Sequence, residues 1–177
     1  MPLQIAVNLS PAQFMHGDLV GLVRSILLET GLSPGRLELE ITEGVLIEDF
    51  DRGLALLRRL KALGVRVSMD DFGSGYSSLS YLQAFPFDKI KIDRAFVINL
   101  GRNPQSASIV RAVIGLGHGL EMSIVAEGVE TQEQLGFLAD EGCDAVQGYF
   151  LGKPLPIAQY AVLVGRTDTM EPARKTG

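Results

Sequence analysis

Cysteine and tryptophan are nearly missing from this sequence of 177 residues, which contains one cysteine and no tryptophan. A single cysteine, Cys143, excludes both an internal disulfide and a multi-cysteine zinc site. A chain without disulfides suits a reducing compartment, so we predict a cytoplasmic location. The sequence is nevertheless 46% hydrophobic, which excludes disorder and is enough for one packed core in a domain of this length.

Long apolar runs and an excess of basic residues are also lacking. No uncharged hydrophobic run reaches the roughly 18 residues that a membrane span needs, and residues 1–7 lack the basic start of a signal peptide. We therefore predict neither membrane insertion nor export. The 16 basic and 21 acidic residues give a formal charge of −5. The chain thus lacks the basic surface expected of a protein that binds DNA or RNA polymers.

Short β-branched segments alternate with longer amphipathic segments, a pattern typical of repeated β-then-α units. The predicted strands are Gln4–Asn8, Leu37–Ile41, Val65–Asp70, Lys89–Ile92, Ser123–Glu127 and Ala145–Gln147. Helices are predicted between the strands. One ends at Gly31, one runs from Asp49 to Gly64, and one begins within residues 74–78. Two further helices start at the capping residues Asn103 and Thr131, the second with a capping box.

The alternation within the strands favours a barrel over an open doubly wound sheet. Central strands of an open sheet meet helices on both faces, whereas a barrel strand has one face toward the helices and one toward the lumen. Here Leu39 and Ile41 alternate with Glu38 and Glu40, and the other strands behave similarly. We predict an α/β fold, a (β/α)8 TIM-like barrel that is N-terminally incomplete, with about six β/α units present. A polar group is expected to pair internally low in the lumen: Gln4, Glu38, Arg66 and Lys89.

The ends of the predicted strands carry side chains of the types that bind metals or substrates: Asn8, Glu40, Asp70 with Asp71, Lys91, Glu127 and Gln147. In α/β barrels these ends meet at one mouth. Converging carboxylates repel one another unless a cation lies among them, and oxygen ligands suit Mg²⁺ or Mn²⁺. We expect Asp70 and Asp71 both to face the mouth, so that two ions can bind and promote phosphodiester hydrolysis. Lys91 would orient the water or neutralise charge on the phosphate.

Each of these residues also has a purely structural interpretation. An aspartate at a β-to-α junction is a good helix cap, and Asn8 can cap the turn that follows it. A different chemistry also stays open, a magnesium-dependent lyase or isomerase barrel in which Lys91 is the base. The adjacent aspartates argue against it, because one metal ion rarely needs both.

Six motifs follow one another along nearly the whole chain. They are Val7-Asn8-Leu9-Ser10, Leu39-Glu40-Ile41-Thr42-Glu43, Asp70-Asp71-Phe72-Gly73-Ser74-Gly75-Tyr76-Ser77-Ser78, Lys91-Ile92-Asp93, Ala126-Glu127-Gly128-Val129-Glu130, and Gln147-Gly148-Tyr149 followed by Lys153-Pro154. In this order and spacing the chain resembles the EAL family of bacterial cyclic di-GMP phosphodiesterases. The resemblance implies a modified (β/α)8 barrel that hydrolyses cyclic di-GMP to linear pGpG with Mg²⁺ or Mn²⁺, and that Ca²⁺ inhibits.

The same resemblance implies roles for individual residues. The implied metal ligands are Asn8, Glu40, Asp70, Asp71 and Glu127, with Asp70 bridging two ions. The implied catalytic residues are Lys91 at the attacking water, Glu127, Gln147 and, as a support outside the metal ligands, Glu130. The implied substrate-binding residues are Tyr149 and Pro154, which lie where the family contacts a guanine, together with Ser10 and Gln13. Glu43 would brace the loop 70–78, which the resemblance also connects with dimerisation.

The Glu-Ala-Leu motif of the family has no counterpart in the printed sequence. In the family its Glu is a metal ligand on a strand upstream of the strand that carries Asn8, where this sequence begins. We expect residues 1–166 to be a partial EAL domain and residues 167–177 a polar C-terminal tail. The missing units would leave strand edges open, which predicts self-association or a covering partner. The resemblance further implies a homodimer and a longer parent protein with sensory or GGDEF domains. A non-catalytic cyclic di-GMP receptor or regulatory interaction domain is the alternative function.

Overall fold

A computed structural model describes residues 3–15, 17–47, 49–73 and 79–160. Within these ranges six strands form one parallel sheet: β1 (Ile5–Asn8), β2 (Leu37–Thr42), β3 (Arg66–Phe72), β4 (Lys89–Ile92), β5 (Ser123–Glu127) and β6 (Ala145–Gln147). The six predicted strands are confirmed, each within two residues at either end.

The helices of the described ranges lie between these strands. They are α1 (Pro11–Met15), α2 (Leu19–Thr30), α3 (Glu43–Ile47), α4 (Phe50–Ala62), α5 (Leu79–Ala84), α6 (Arg94–Ile98), α7 (Pro104–Gly119) and α8 (Gln132–Asp140), with 3₁₀ turns at Pro34–Arg36 and Ile157–Tyr160. Helices α1, α3 and α6 were not predicted, because a helix of five residues is too short to show a helical period. The predicted helix start within 74–78 lies outside the described residues.

The predicted helix caps are present and fix where the connecting loops end. The Asp49 carboxylate accepts a hydrogen bond from Arg52 N, and the Asn103 side chain accepts one from Gln105 N. Thr131 Oγ1 accepts from Gln134 N while Gln134 Oε1 accepts from Thr131 N, which is the predicted capping box. These bonds satisfy backbone donors that the first helical turn leaves without partners.

Strand order settles the choice between a doubly wound sheet and a barrel. A doubly wound sheet reverses its winding at a switch point, whereas these strands are hydrogen-bonded in the order β1-β2-β3-β4-β5-β6. Right-handed crossovers in sequential order place all helices on one face of the sheet. The fold is therefore the wall of an incomplete α/β barrel, and β1 and β6 do not pair with each other in the described ranges.

The two faces of the sheet differ as the sequence predicts. The face toward the helices is aliphatic and almost completely buried: Leu39, Ile41, Val67, Met69, Ile90, Ile92, Ile124 and Ala126. The lumen face holds buried polar residues: Glu38, Glu40, Ser68, Asp70 and Lys91. The apolar layer supplies the core, and burial of the second layer requires ion pairs or hydrogen bonds.

The polar group low in the lumen is only partly as expected. Lys89 Nζ lies 2.7 and 2.6 Å from the two carboxylate oxygens of Glu38, and Gln4 lines the same cavity. Arg66 was expected in this group, and that prediction is wrong. Arg66 is the first residue of β3, is exposed, and forms no ion pair within the described residues, because a long side chain at this edge of the sheet reaches water.

Strand β1 is an exposed, uncharged edge. Leu3, Ile5 and Val7 are 48%, 48% and 41% exposed, which matches the expected open edge; the expected self-association stays a prediction. In the part of the chain that the structure describes, no helix is both long and apolar enough to cross a membrane. The predicted domain end at 166 and the tail 167–177 lie outside the described residues.

Candidate metal centre

Two adjacent aspartates, Asp70 and Asp71, precede the last residue of β3 and share one opening because the strand is irregular there. The pairing register with β4 shifts between Met69 and Phe72, and Asp71 has a positive φ of 53°. A left-handed conformation is uncommon outside glycine and marks a constrained position. One carboxylate oxygen each of Asp70, Asp71 and Glu127 therefore lie within 4.8 Å of one another. The geometry agrees with the expectation that both aspartates face the mouth.

A lysine lies at the centre of the carboxylates. Lys91 Nζ is 2.8 Å from Glu40 Oε1, 2.9 Å from Asp70 Oδ1 and 2.7 Å from Glu127 Oε1. These residues come from β2, β3, β4 and β5, so four neighbouring strands contribute one group each. Because the lysine and its partners are largely buried, water screens the repulsion among the three carboxylates poorly, and the ammonium group offsets that repulsion.

Burial and charge shift several pKa values in this cluster. Burial lowers the pKa of Lys91, but its short contacts with the carboxylates of Glu127, Glu40 and Asp70 outweigh burial and leave that pKa raised. Burial raises the pKa of Glu127, although Lys91 opposes the change. Burial and the neighbouring Asp70 charge raise the pKa of Asp71. The cluster thus contains more negative charge than one ammonium group neutralises.

Two details of the cluster fit an additional cation. Asp70 Oδ1 is buried and has no well-aligned hydrogen bond, although Lys91 Nζ is close to it. One terminal atom of the Asn8 amide lies 3.2 Å from Asp70 Oδ2 and 3.2 Å from Glu40 Oε2. If that atom is nitrogen, Asn8 donates to both carboxylates; if it is oxygen, three oxygens converge. In the first orientation Asn8 satisfies both carboxylates by itself; in the second the three oxygens form a donor set that suits Mg²⁺ or Mn²⁺.

Gln147 lies beside the cluster, whereas Glu130 and Glu43 contact residues next to it. Gln147, at the end of β6, lines a cavity of about 130 Å³ together with Glu40 and Lys91. Glu130 is not part of the carboxylate cluster: its Oε1 accepts a hydrogen bond of 2.7 Å from Arg94 Nη2 at the surface. Glu43 Oε1 accepts a hydrogen bond from Gly73 N, 3.1 Å long; its role in bracing the loop 70–78 stays a prediction.

The predicted substrate-binding residues form two separate groups. Ser10 and Gln13 bond to each other at the start of α1, where Ser10 N donates to Gln13 Oε1 and Gln13 N donates to Ser10 Oγ. This is a helix cap, which leaves their role in binding a prediction. Tyr149 and Pro154 line an open cavity of about 660 Å³ after β6.

Lys153, which was named within a motif but given no role, also lines this second cavity. Lys153 Nζ lies 5.5 Å from the centre of the Tyr149 ring, within the range of a cation–π interaction. The sequence did contain a signal, because Lys153 directly precedes Pro154 and follows the aromatic residue Tyr149 by four positions. The cavity therefore offers an aromatic face and a positive charge next to the strand end that carries Gln147.

Comparison with known proteins places this geometry in a family. The EAL domain profile matches residues 1–154. Over 156 residues the chain is 61% identical to an uncharacterized signaling protein of Caulobacter vibrioides, covering 88% of this chain and 19% of that protein. Over 155 residues it is 49% identical to the bifunctional diguanylate cyclase/cyclic di-GMP phosphodiesterase MucR of Pseudomonas aeruginosa, covering 88% of this chain and 23% of MucR.

Solved structures agree with the sequence matches. The MucR phosphodiesterase in complex with c-di-GMP superposes with a TM-score of 0.85 at 49% identity, covering 88% of this chain and 63% of that one. Klebsiella pneumoniae BlrP1 in a manganese and c-di-GMP complex gives a TM-score of 0.77 at 38% identity, covering 83% of this chain and 38% of that one. The chain spans about a fifth of the length of the curated relatives that it matches. Since the profile covers most of the sequence and the solved domains share its fold, this chain belongs to the EAL domain family.

Proposed function

We propose that this chain is part of a cyclic di-GMP phosphodiesterase that opens one phosphodiester bond of cyclic di-GMP to give linear pGpG. The observation that carries the proposal is the group of Asp70, Asp71 and Glu127 oxygens within 4.8 Å of one another at the barrel mouth. Relatives named as phosphodiesterases and solved in complex with c-di-GMP support the choice of substrate. A structure of BlrP1 with manganese and another with calcium support the use of a divalent ion.

The residues that would hold the metal are Asn8, Glu40, Asp70, Asp71 and Glu127. Divalent ions bound there would supply positive charge to the attacking and leaving oxygens and lower the pKa of a water molecule. We propose Mg²⁺ or Mn²⁺ as the activating ion and Ca²⁺ as an inhibitor. In the reaction a P–O bond forms to water and a P–O bond to one ribose breaks, and the ribose oxygen leaves with a proton.

Lys91 contributes a fixed positive charge to this site. Its contacts with three carboxylates stabilise the ammonium form, so at neutral pH it neutralises charge on a phosphate or orients a water molecule. A lysine held in this form is a poor base. The arrangement therefore argues against a lyase or isomerase reaction that begins with proton abstraction by Lys91.

The substrate has room on the side of β6. The open cavity beside Gln147 contains Tyr149, Lys153 and Pro154, and an aromatic face can stack on a guanine base. We propose that one half of the dinucleotide lies in this cavity while its phosphate reaches the carboxylate cluster. We further propose that Ser10 and Gln13 contact the substrate, and that Glu43 and Glu130 support the loops around the site.

The activity is tested by incubating the purified chain with cyclic di-GMP and Mn²⁺ and separating the nucleotides by chromatography. We expect pGpG to accumulate with Mn²⁺ and not with a chelator, and the exposed surface variant Asp140→Asn to behave like the unsubstituted chain. Calorimetry on the same samples measures binding. Binding without turnover would favour the non-catalytic receptor, whereas the absence of both binding and turnover would exclude the proposed function.

We further propose that the protein works in the cytoplasm as a homodimer, within a longer protein that carries sensory or cyclase domains.

Leu79 is the first residue of α5, next to the loop that the family resemblance connects with dimerisation, and is 57% exposed. We expect Leu79→Glu to weaken dimerisation about tenfold in sedimentation velocity, since it places charge in an apolar contact. Leu28→Glu, at a leucine of α2 that is 78% exposed, serves as the control. Equal effects of the two changes would contradict this dimer surface.

A further inference from the structure

Helix α6 lies directly after the strand that carries Lys91. Asp93 caps it by accepting a hydrogen bond from Ala95 N, and Asp93 N approaches Phe72 O at 3.5 Å. The helix is thus anchored to the end of β3, which carries the two aspartates. Five residues are too few for a helix that is stable by itself, so contacts with its neighbours hold α6 in place.

One neighbour of α6 is the backbone that follows the aspartates. Gly73 has a φ of 96°, and a Cβ atom at this position would lie 2.8 Å from Cε2 of Phe96. The Phe96 ring therefore packs directly on the peptide backbone, at a distance that only glycine permits. Because Gly73 follows Asp71 by two residues, this contact limits where the Asp70-Asp71 pair can move.

The other neighbour is the loop that follows Glu127. Gly128 has a φ of 73°, and a Cβ atom there would overlap Cγ of Arg94. The same arginine continues past the glycine, and its Nη2 donates to Glu130 Oε1 at 2.7 Å. The stem and the charged end of Arg94 therefore hold both sides of the loop that begins at Glu127.

We propose that Arg94 and Phe96 are positioning residues of the metal site, fixing the separation between the Asp70-Asp71 pair and Glu127. The inference rests on the proposed function, because it concerns how these carboxylates hold a metal ion. Neither residue is among the carboxylate ligands. Each contacts the backbone within two residues of a ligand, and one short helix carries both.

A positioning role differs from a contribution to overall stability. The Arg94–Glu130 pair is 54% and 40% exposed at its side chains, and exposed ion pairs add little to folding. A metal site, in contrast, responds to small displacements of its ligands, and loss of a supporting contact typically costs 10–100-fold in metal affinity. Metal affinity should therefore fall in Arg94→Ala although the unfolding curve of that variant hardly changes.

The chain offers a matched control. Arg111 Nε donates to Glu141 Oε1 at 2.7 Å, and Arg111 is as exposed as Arg94, but this pair joins α7 to the end of α8. Calorimetric titration with Mn²⁺ alone should show about tenfold weaker binding for Arg94→Ala and less than twofold change for Arg111→Ala. Arg94→Lys, which keeps the stem over Gly128 and the charge, should recover most of the affinity. Phe96→Ala should weaken binding similarly.

Hydrogen exchange of the metal-free protein supplies a readout without metal. Arg94→Ala should speed exchange at residues 128–130, Phe96→Ala should speed it at residues 71–73, and the core strands should be unchanged.

Failure of the unsubstituted chain to bind Mn²⁺ would refute the proposed function and, with it, the metal-site role. If the unsubstituted chain binds Mn²⁺ but Arg94→Ala and Arg111→Ala bind it equally, only the positioning role is overturned. Faster exchange throughout the protein would also overturn the positioning role, because it would show that Arg94 and Phe96 contribute only to the overall stability of the fold.

Discussion

Replacing Lys91 by methionine should lower the free energy of unfolding of the metal-free chain by about 3–5 kcal/mol, the usual cost of leaving a buried charge without its partner. Methionine retains most of the lysine stem but removes the ammonium group that lies within 2.9 Å of Glu40, Asp70 and Glu127. The three carboxylates then face one another in a site that water screens poorly. Urea denaturation in the presence of a chelator measures the loss.

The same variant separates the structural and the chemical role of Lys91. Mn²⁺ should stabilise Lys91→Met more than the unsubstituted chain, since the metal would replace the missing positive charge, while turnover of cyclic di-GMP should fall about 10²–10³-fold. Lys61→Met is the control, because Lys61 also pairs with an aspartate, Asp88, but at a half-exposed position. A loss of Mn²⁺ binding with no loss of stability would show that Lys91 does not neutralise the cluster.

Asp70→Asn should reduce metal-dependent turnover about 10³-fold or more, because several kcal/mol of charge stabilisation depend on the metal site. Asparagine has nearly the same shape and keeps one oxygen, but it removes the negative charge that is proposed to bridge two ions. Lys91 keeps its contacts with Glu40 and Glu127. The free energy of unfolding without metal should therefore change by no more than about 1 kcal/mol. The weaker contact between Lys91 and residue 70 is offset by weaker repulsion of residue 70 by the Glu40 and Glu127 carboxylates.

Turnover assays and Mn²⁺ titration of Asp70→Asn are read together. Asp140→Asn, at the end of α8 and exposed, makes the same chemical change away from the site. The prediction requires weaker Mn²⁺ binding and lost turnover in the first variant and neither in the second. Turnover at the unsubstituted rate in Asp70→Asn would discard the bridging role of this aspartate.

The fold was predictable because polar and apolar residues alternate along the strands with a period of two. Glu38 and Glu40 alternate with Leu39 and Ile41, and only a strand with unlike faces accommodates that pattern. The pattern could not reveal α1, α3 or α6, because five residues are too few to show a helical period. It also misplaced Arg66. The alternation directs this residue toward the lumen, but Arg66 is the first residue of β3, and from there its long side chain reaches water.

The site was predictable as a set of residue types at strand ends, but its arrangement was not. Asp70 and Asp71 are adjacent, so a regular strand would direct them to opposite faces. The shift in register after Met69 and the positive φ of Asp71 place them at one opening. The partner of Glu130 was not predictable either: it is Arg94, 36 residues away in sequence, which bonds to Glu130 at the surface.

The sequence by itself determined the α/β class, the strand positions and the supply of oxygen ligands at one end of the sheet. These follow from local periodicity and from the rule that parallel strands bring their carboxyl ends together. Only the tertiary structure decided that Lys91 lies among three carboxylates and that Arg94 and Phe96 contact the loops on either side of it. Those contacts join residues that are distant along the chain, and their distances depend on sheet register and side-chain packing, which no local pattern encodes.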